Sequence, residues 1–275
     1  MSTATATSAT RGAPSAPVPA RTRKAPAPIP MSRIVGVELR KMFDTRSGFW
    51  LMIGMGVSAL LATAAVVLWA PDSSITYDSF GAAVGIPMTL LLPVMAILSV
   101  TSEWSQRSGL TTFTLVPRRG RVILAKVIVS IGVGVVSILA ALAIGALGNL
   151  VGSSLAGVDT VWDISLSQMS TLLLANALNL MVGFMLGVLL RNSPGAIVAY
   201  VVYNFVLPPL SMLLASSQDW WDRASRWLDF NQAQAYLYDG DLTAAQWAHL
   251  GVSATLWIVL PLAVGLVMLR RSEVK

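Results

Sequence analysis

Cysteine is absent from the 275 residues, which removes disulfides, thiol nucleophiles and thiolate-held metals together. Histidine occurs once, at His249, which counts against a His-based metal site and against a catalytic triad. There is no GxxxxGKS/T run to cradle phosphates, so the chain has no nucleotide site of its own and cannot hydrolyse ATP alone. The absence of an HExxH pair and of paired aspartates in apolar runs argues against an intramembrane protease. These gaps speak against an enzyme and leave no bound cofactor or metal to expect.

Charge is scarce as well. Charged residues are 12% of the chain and hydrophobic ones 55%, with a mean hydropathy of +0.69, whereas soluble domains carry about a quarter charged residues. Six stretches hold no Asp, Glu, Lys or Arg and are long enough for a bilayer core that needs about 20 apolar residues: Phe49–Trp69, Ala82–Val100, Val127–Leu150, Met169–Leu190, Gly195–Ala215 and Leu250–Leu269. The fold class is therefore an all-α integral membrane protein with six transmembrane helices. A secondary transporter usually keeps ionisable residues at mid-membrane, so charge-free spans count against a small self-powered transporter.

The charge that is present is sorted by side. Alternate connecting segments hold 8, 5, 1 and 3 of the Lys and Arg residues, 17 in all, and the other three hold only Arg223 and Arg226. Those three carry 9 of the 13 acids. Basic loops stay in the cytoplasm, so both termini are expected there, in a multi-pass protein of the cytoplasmic membrane. The net charge of +6 thus reports topology and not a nucleic-acid stripe. Tryptophans fit the same frame, with Trp50 and Trp104 at the inner interface and Trp69, Trp162, Trp220, Trp221, Trp227 and Trp247 at the outer. Trp257 falls inside a span and fits neither belt.

Residues 1–30, rich in Ala, Pro, Thr and Ser, cannot bury enough surface to order themselves and are expected to form a disordered cytoplasmic tail. Met31 offers an alternative start. From Met31 to Arg46 the period is helical, with Met31, Val35, Leu39, Met42 and Phe43 on one face and Arg33, Arg40, Lys41 and Asp44 on the other, as in a helix lying on lipid headgroups. The six-span domain then covers 31–275. Between the fifth and sixth spans, Pro208-Pro209 must break or kink the helix, and Ser216 to Ala248 contains an amphipathic Trp-rich stretch; a re-entrant outer segment is expected there.

Polar groups inside the spans are few. Asn176, Asn179, Tyr203 and Asn204 are candidates for a substrate path, although a buried Asn more often makes an interhelical hydrogen bond of about 0.6 to 2 kcal/mol. Gly183 and Gly187 form a GxxxG, a surface for close approach of another helix.

The most informative stretch is Ser102 to Lys126, SEWSQRSGLTTFTLVPRRGRVILAK, with five basic residues and one acid between two charge-free runs. It resembles the cytoplasmic loop of type-2 ABC exporter permeases, the membrane subunits of bacterial ATP-binding-cassette exporters. Their pattern is an acid leaving the second span, Gly-Thr, Pro followed by basic residues, then Lys entering the third; here these are Glu103, Gly109, Pro117, Arg118, Arg119 and Lys126, with Leu110 after Gly109 where the family often has Thr. The resemblance extends over about residues 31 to 275. It implies a coupling helix that docks on a separate cytosolic ATPase, with ATP and Mg held by that partner, and a second permease copy or paralogue completing a dimer. Glu103, Trp104, Arg107, Gly109, Phe113, Pro117 and Arg118 would form the coupling surface. Large apolar groups in an otherwise wet loop suit such docking. A membrane scaffold or assembly factor that transports nothing is the alternative, and the substrate is not specified by these residues.

Overall fold

The computed structural model describes residues 29–105 and 119–271. Residues 1–28 of the expected tail, and Arg107, Gly109, Phe113, Pro117 and Arg118 of the polar loop, lie outside the described residues. Within them the chain is helical, with one isolated bridge between Thr76 and Val161.

Helix α1 (Met31–Asp44) turns at Thr45 into α2 (Arg46–Trp69). Then come α3 (Tyr77–Ser105), α4 (Arg119–Ala156) and α5 (Leu166–Leu190). Next are α6 (Ser193–Phe205) and α7 (Leu207–Ser217), with α8 (Asp219–Leu228) and α9 (Phe230–Ala235) after them. Helix α10 (Ala244–Ala254) passes through a π-helical turn, Thr255–Val259, into α11 (Leu260–Arg271). Among the described residues six helical runs are long and apolar enough to cross a membrane, the fifth being α6 with α7 and the sixth α10 with the turn and α11. This is the build of a multi-pass membrane protein.

The second and third spans overrun their expected limits. Helix α3 has 29 residues and α4 has 38, so α4 measures about 57 Å at 1.5 Å per residue against a hydrocarbon core of about 30 Å. Ending a span at its first charge cuts both helices short, because Glu103 and Lys126 sit within helix and neutralise one another (3.3 Å apart).

Helix α3 is the centre of the bundle, packed against α2, α4, α5 and α6. Its Phe80, Val84, Leu92, Met95, Ala96, Ile97 and Val100 are fully buried. Helix α5 reaches it through the GxxxG. A Cβ on Gly183 would stand 2.6 Å from the Pro93 carbonyl oxygen, and one on Gly187 3.3 Å from the Ile97 Cα. Gly183→Val is expected to force the two helices apart and cost about 1–3 kcal/mol. Thermal inactivation in detergent measures it, with Gly54→Val, which faces open space, as the neutral comparison; equal midpoints for the two variants would refute the close-packing role.

The face that α1 turns inward is not the expected stripe. Ile34, Glu38 and Met42 are buried along α4, while Leu39 and Phe43 stay exposed at 40% and 44%. The inward face is centred on an acid because a lysine waits for it. At Gly48, the Met42 carbonyl oxygen lies 1.9 Å from where a Cβ would stand, so the α1–α2 corner closes this tightly only on glycine.

At the opposite end of the bundle, Pro208 and Pro209 sit in the first turn of α7, and Val206, between α6 and α7, keeps right-handed helical dihedrals and donates to the Val202 carbonyl at 2.9 Å. The chain from α8 to Tyr238 then folds back onto the bundle. Phe230, Ala233 and Leu237 are fully buried, and the Gln234 side-chain amide donates to the Ala175 carbonyl of α5 at 2.8 Å. Ala175 lies nine residues into α5, so this contact is roughly 13 Å from the helix start. Trp257, the tryptophan outside either belt, packs on Tyr203 and donates its indole N–H to the Leu228 carbonyl at 2.7 Å. Its place in the π turn is set by that contact and not by a membrane interface.

Candidate functional site

Glu38 and Lys41 lie three residues apart on α1, Glu103 in the last turn of α3, and Lys126 seven residues into α4. Helix periodicity puts Glu38 between Ile34 and Met42 on the buried face, where it meets Lys126. The Lys126 ammonium lies 2.5 Å from Glu38 Oε2 and 3.3 Å from Glu103 Oε1, and donates to the Ser99 carbonyl at 2.9 Å. Lys41 closes the ring, 2.8 Å from Glu38 Oε1 and 3.4 Å from Glu103 Oε1. Two carboxylates and two ammoniums alternate and sum to zero.

Three of the four charged groups, Glu38, Glu103 and Lys126, are at least 95% buried; the Lys41 side chain is 41% exposed. Burial by itself would raise the Glu38 carboxyl, but the charge and hydrogen bond of Lys126, with Lys41 behind it, hold it below its ordinary value. For Lys41, burial pulls the ammonium down and is outweighed by Glu38 and Glu103, which hold it above its ordinary value. A cavity of about 30 Å³ bordered by Glu38, Lys41, Ser99 and Lys126 adjoins the ring, wide enough for a water molecule. Glu103 Oε2 is buried without a hydrogen-bond partner. The ring ties α1 to the two helix ends that flank residues 106–118. Parting any of these three elements would separate buried opposite charges, which is costly.

Of the sequence-derived coupling residues within the described chain, Glu103 faces this ring, and Trp104 is half-buried against the adjoining core. Glu38 and the pairing role of Lys126 escaped the sequence reading. The signal available was an acid spaced four residues from Ile34 and four from Met42, in the middle of an apolar face.

The polar residues of the spans divide differently. Pro93 has no N–H to give the Thr89 carbonyl one turn earlier. Asn179 Nδ2 donates to that carbonyl at 3.0 Å and the Tyr200 hydroxyl donates to it as well, while Tyr200 also lies 3.0 Å from Asn179 Oδ1. Asn179 is thus occupied in repairing a proline break between three helices, and Pro93 four residues after Thr89 was the sequence signal for it. Asn176 uses its Nδ2 on the Leu172 carbonyl at 2.9 Å, and its Oδ1 is buried without a partner. Tyr203 is buried on Trp257 and Tyr200 with its hydroxyl unpartnered, and Asn204 is half-buried. Of the four candidates for a substrate path, Asn176 borders the large cavity between α3, α4 and α5.

Among the described residues no group of three or more His, Cys, Asp or Glu side chains is placed to hold a metal ion. No family model matches the chain, and no curated protein matches it.

Proposed function

We propose that this chain is the membrane subunit of an ABC exporter, a type-2 permease that pairs with a second permease and two cytosolic ATPases. The observation that carries this reading is the buried charge ring. It fixes α1, α3 and α4 to one another at the two ends of the polar segment whose residues resemble an exporter coupling loop. A segment that receives motion from an ATPase needs a stiff joint to the spans, and a ring of alternating charges, three of the four buried, supplies one.

In this reading α1 lies in the inner interface, with Leu39 and Phe43 toward lipid and its basic residues toward headgroups. The segment from Phe230 to Tyr238 is the re-entrant outer element. Both termini are cytoplasmic, as the 17 to 2 division of basic residues supports. Closure of the ATPases on ATP displaces the coupling segment, the ring carries the displacement into α3 and α4, and the paired spans exchange inward for outward access.

Affinity capture of the tagged chain from its native membranes is expected to bring down an ATPase, while the chain purified alone hydrolyses no ATP. Capture without any nucleotide-binding protein would overturn the subunit reading. Because the chain has no cysteine, a single Ser217→Cys also reports orientation: an impermeant thiol reagent on intact cells is expected to label it, and no labelling would invert the topology.

A further inference from the structure

A cavity of about 480 Å³ opens between α3, α4 and α5 at the end remote from the charge ring. That volume is in the range of sites that take small organic molecules, about 300–1,000 Å³. Its walls are apolar, with Val84, Met88, Leu142 and Leu172 among them, and its polar lining is asymmetric. Asp78 and Asp239 border it and are exposed. Gln168 Nε2 spans the two segments that carry them, 2.8 Å from Asp78 Oδ1 and 3.5 Å from the Tyr238 carbonyl oxygen. Asp163, outside the lining, accepts from the Asp78 N–H at 2.8 Å. Among the described residues no Lys, Arg or His lines the cavity.

Deeper in the wall lie two polar residues, Thr89, whose hydroxyl is used on the Ile86 carbonyl at 2.7 Å, and Asn176. Asn176 is 95% buried, its amide N–H₂ is used on the Leu172 carbonyl, and its Oδ1 has no partner. It follows Gln168 by eight residues on the same helix, which places it about 12 Å further along. An unpaired acceptor in an apolar wall is costly unless a donor reaches it.

The geometry points to a binding site for an amphiphilic organic cation: a positive head between Asp78 and Asp239, an apolar body along α3 and α5, and an N–H or O–H donor at Asn176 Oδ1. An anion meets the two carboxylates of the lining and is refused. This inference does not rest on the transport reading, since one chain builds the whole site.

The test is a fluorescence titration of ethidium, a planar cation with amine donors, against the full chain alone in phosphatidylcholine nanodiscs. Saturable binding above that of empty nanodiscs is expected. Asp239→Asn, an exposed change that leaves packing alone, is expected to weaken it several-fold, and Asn176→Leu about tenfold, one hydrogen bond converted to affinity. Anionic anilinonaphthalene sulfonate is expected not to compete. Titrations that match empty nanodiscs, or wild-type affinity in both variants, would overturn the site. Replacing half of the lipid with phosphatidylethanolamine identifies the source of the cation: competition assigns the site to an aminolipid, and unchanged binding assigns it to a free amphiphile. Because no ATPase is present, the outcome stands apart from whether the chain assembles with one.

Discussion

Lys126→Met is expected to destabilise the protein by about 3–5 kcal/mol, the cost of leaving buried charge without its partner. Lys126 is 2% exposed and neutralises both Glu38 and Glu103. Methionine fills similar space, so the loss is electrostatic and not a cavity. Lys41, with its side chain 41% exposed, belongs to the other regime: solvent already screens it, and Lys41→Met is expected to cost at most about 1 kcal/mol. The contrast is the diagnostic. Adding Glu38→Gln and Glu103→Gln to Lys126→Met removes the stranded charges and is expected to restore most of the stability, since a buried ionic group replaced whole is often near neutral. Denaturation of the four forms in detergent measures this. Equal losses for Lys126→Met and Lys41→Met, or no recovery in the triple variant, would show that the ring is not a desolvated unit. If the proposed function holds, the triple variant also separates stability from work: it should fold and bind its ATPase yet transport poorly, because the joint has lost its stiffness.

Phe113→Ala is expected to lower affinity for the ATPase roughly 30-fold. The estimate follows from about 2 kcal/mol for truncating a buried anchor at 1.4 kcal/mol per tenfold, and it rests on the proposed function. Phe113 lies outside the described residues, so the motive is its sequence setting: a large apolar group in a basic segment between two helix ends. Glu103 should behave differently. Its carboxylate is turned into the ring, so Glu103→Gln is expected to leave the complex assembled and to uncouple ATP hydrolysis from transport. Quantify captured ATPase and transport in both variants, with Leu166→Ala, exposed at the other end of the bundle, as the reference. Wild-type capture by Phe113→Ala would remove Phe113 from the docking surface, and wild-type transport by Glu103→Gln would remove the ring from the coupling path.

The sequence by itself determined the six spans, the helical class and the place of the polar segment between the second and third spans. Those features follow from local sums: a bilayer leaves backbone groups no partner but their own helix, so an uncharged run of sufficient length has one solution. The GxxxG of α5 was legible for the same reason, since small residues at that spacing declare a close approach, although only the fold names Pro93 and Ile97 as what approaches. What tertiary structure decided is which polar groups meet. Glu38 and Lys126 are 88 residues apart in the chain, and Lys41 and Glu103 are 62 apart; no periodicity links them, and read one at a time Glu103 and Lys126 mark the ends of spans while Lys41 belongs to the polar face of α1. Asn176 and Asn179 differ by a single helical turn and looked equivalent in sequence. The proline break in α3 claims one, and the cavity wall leaves the other's acceptor free, because the worth of a buried amide is set by the donors and acceptors that other helices bring to it.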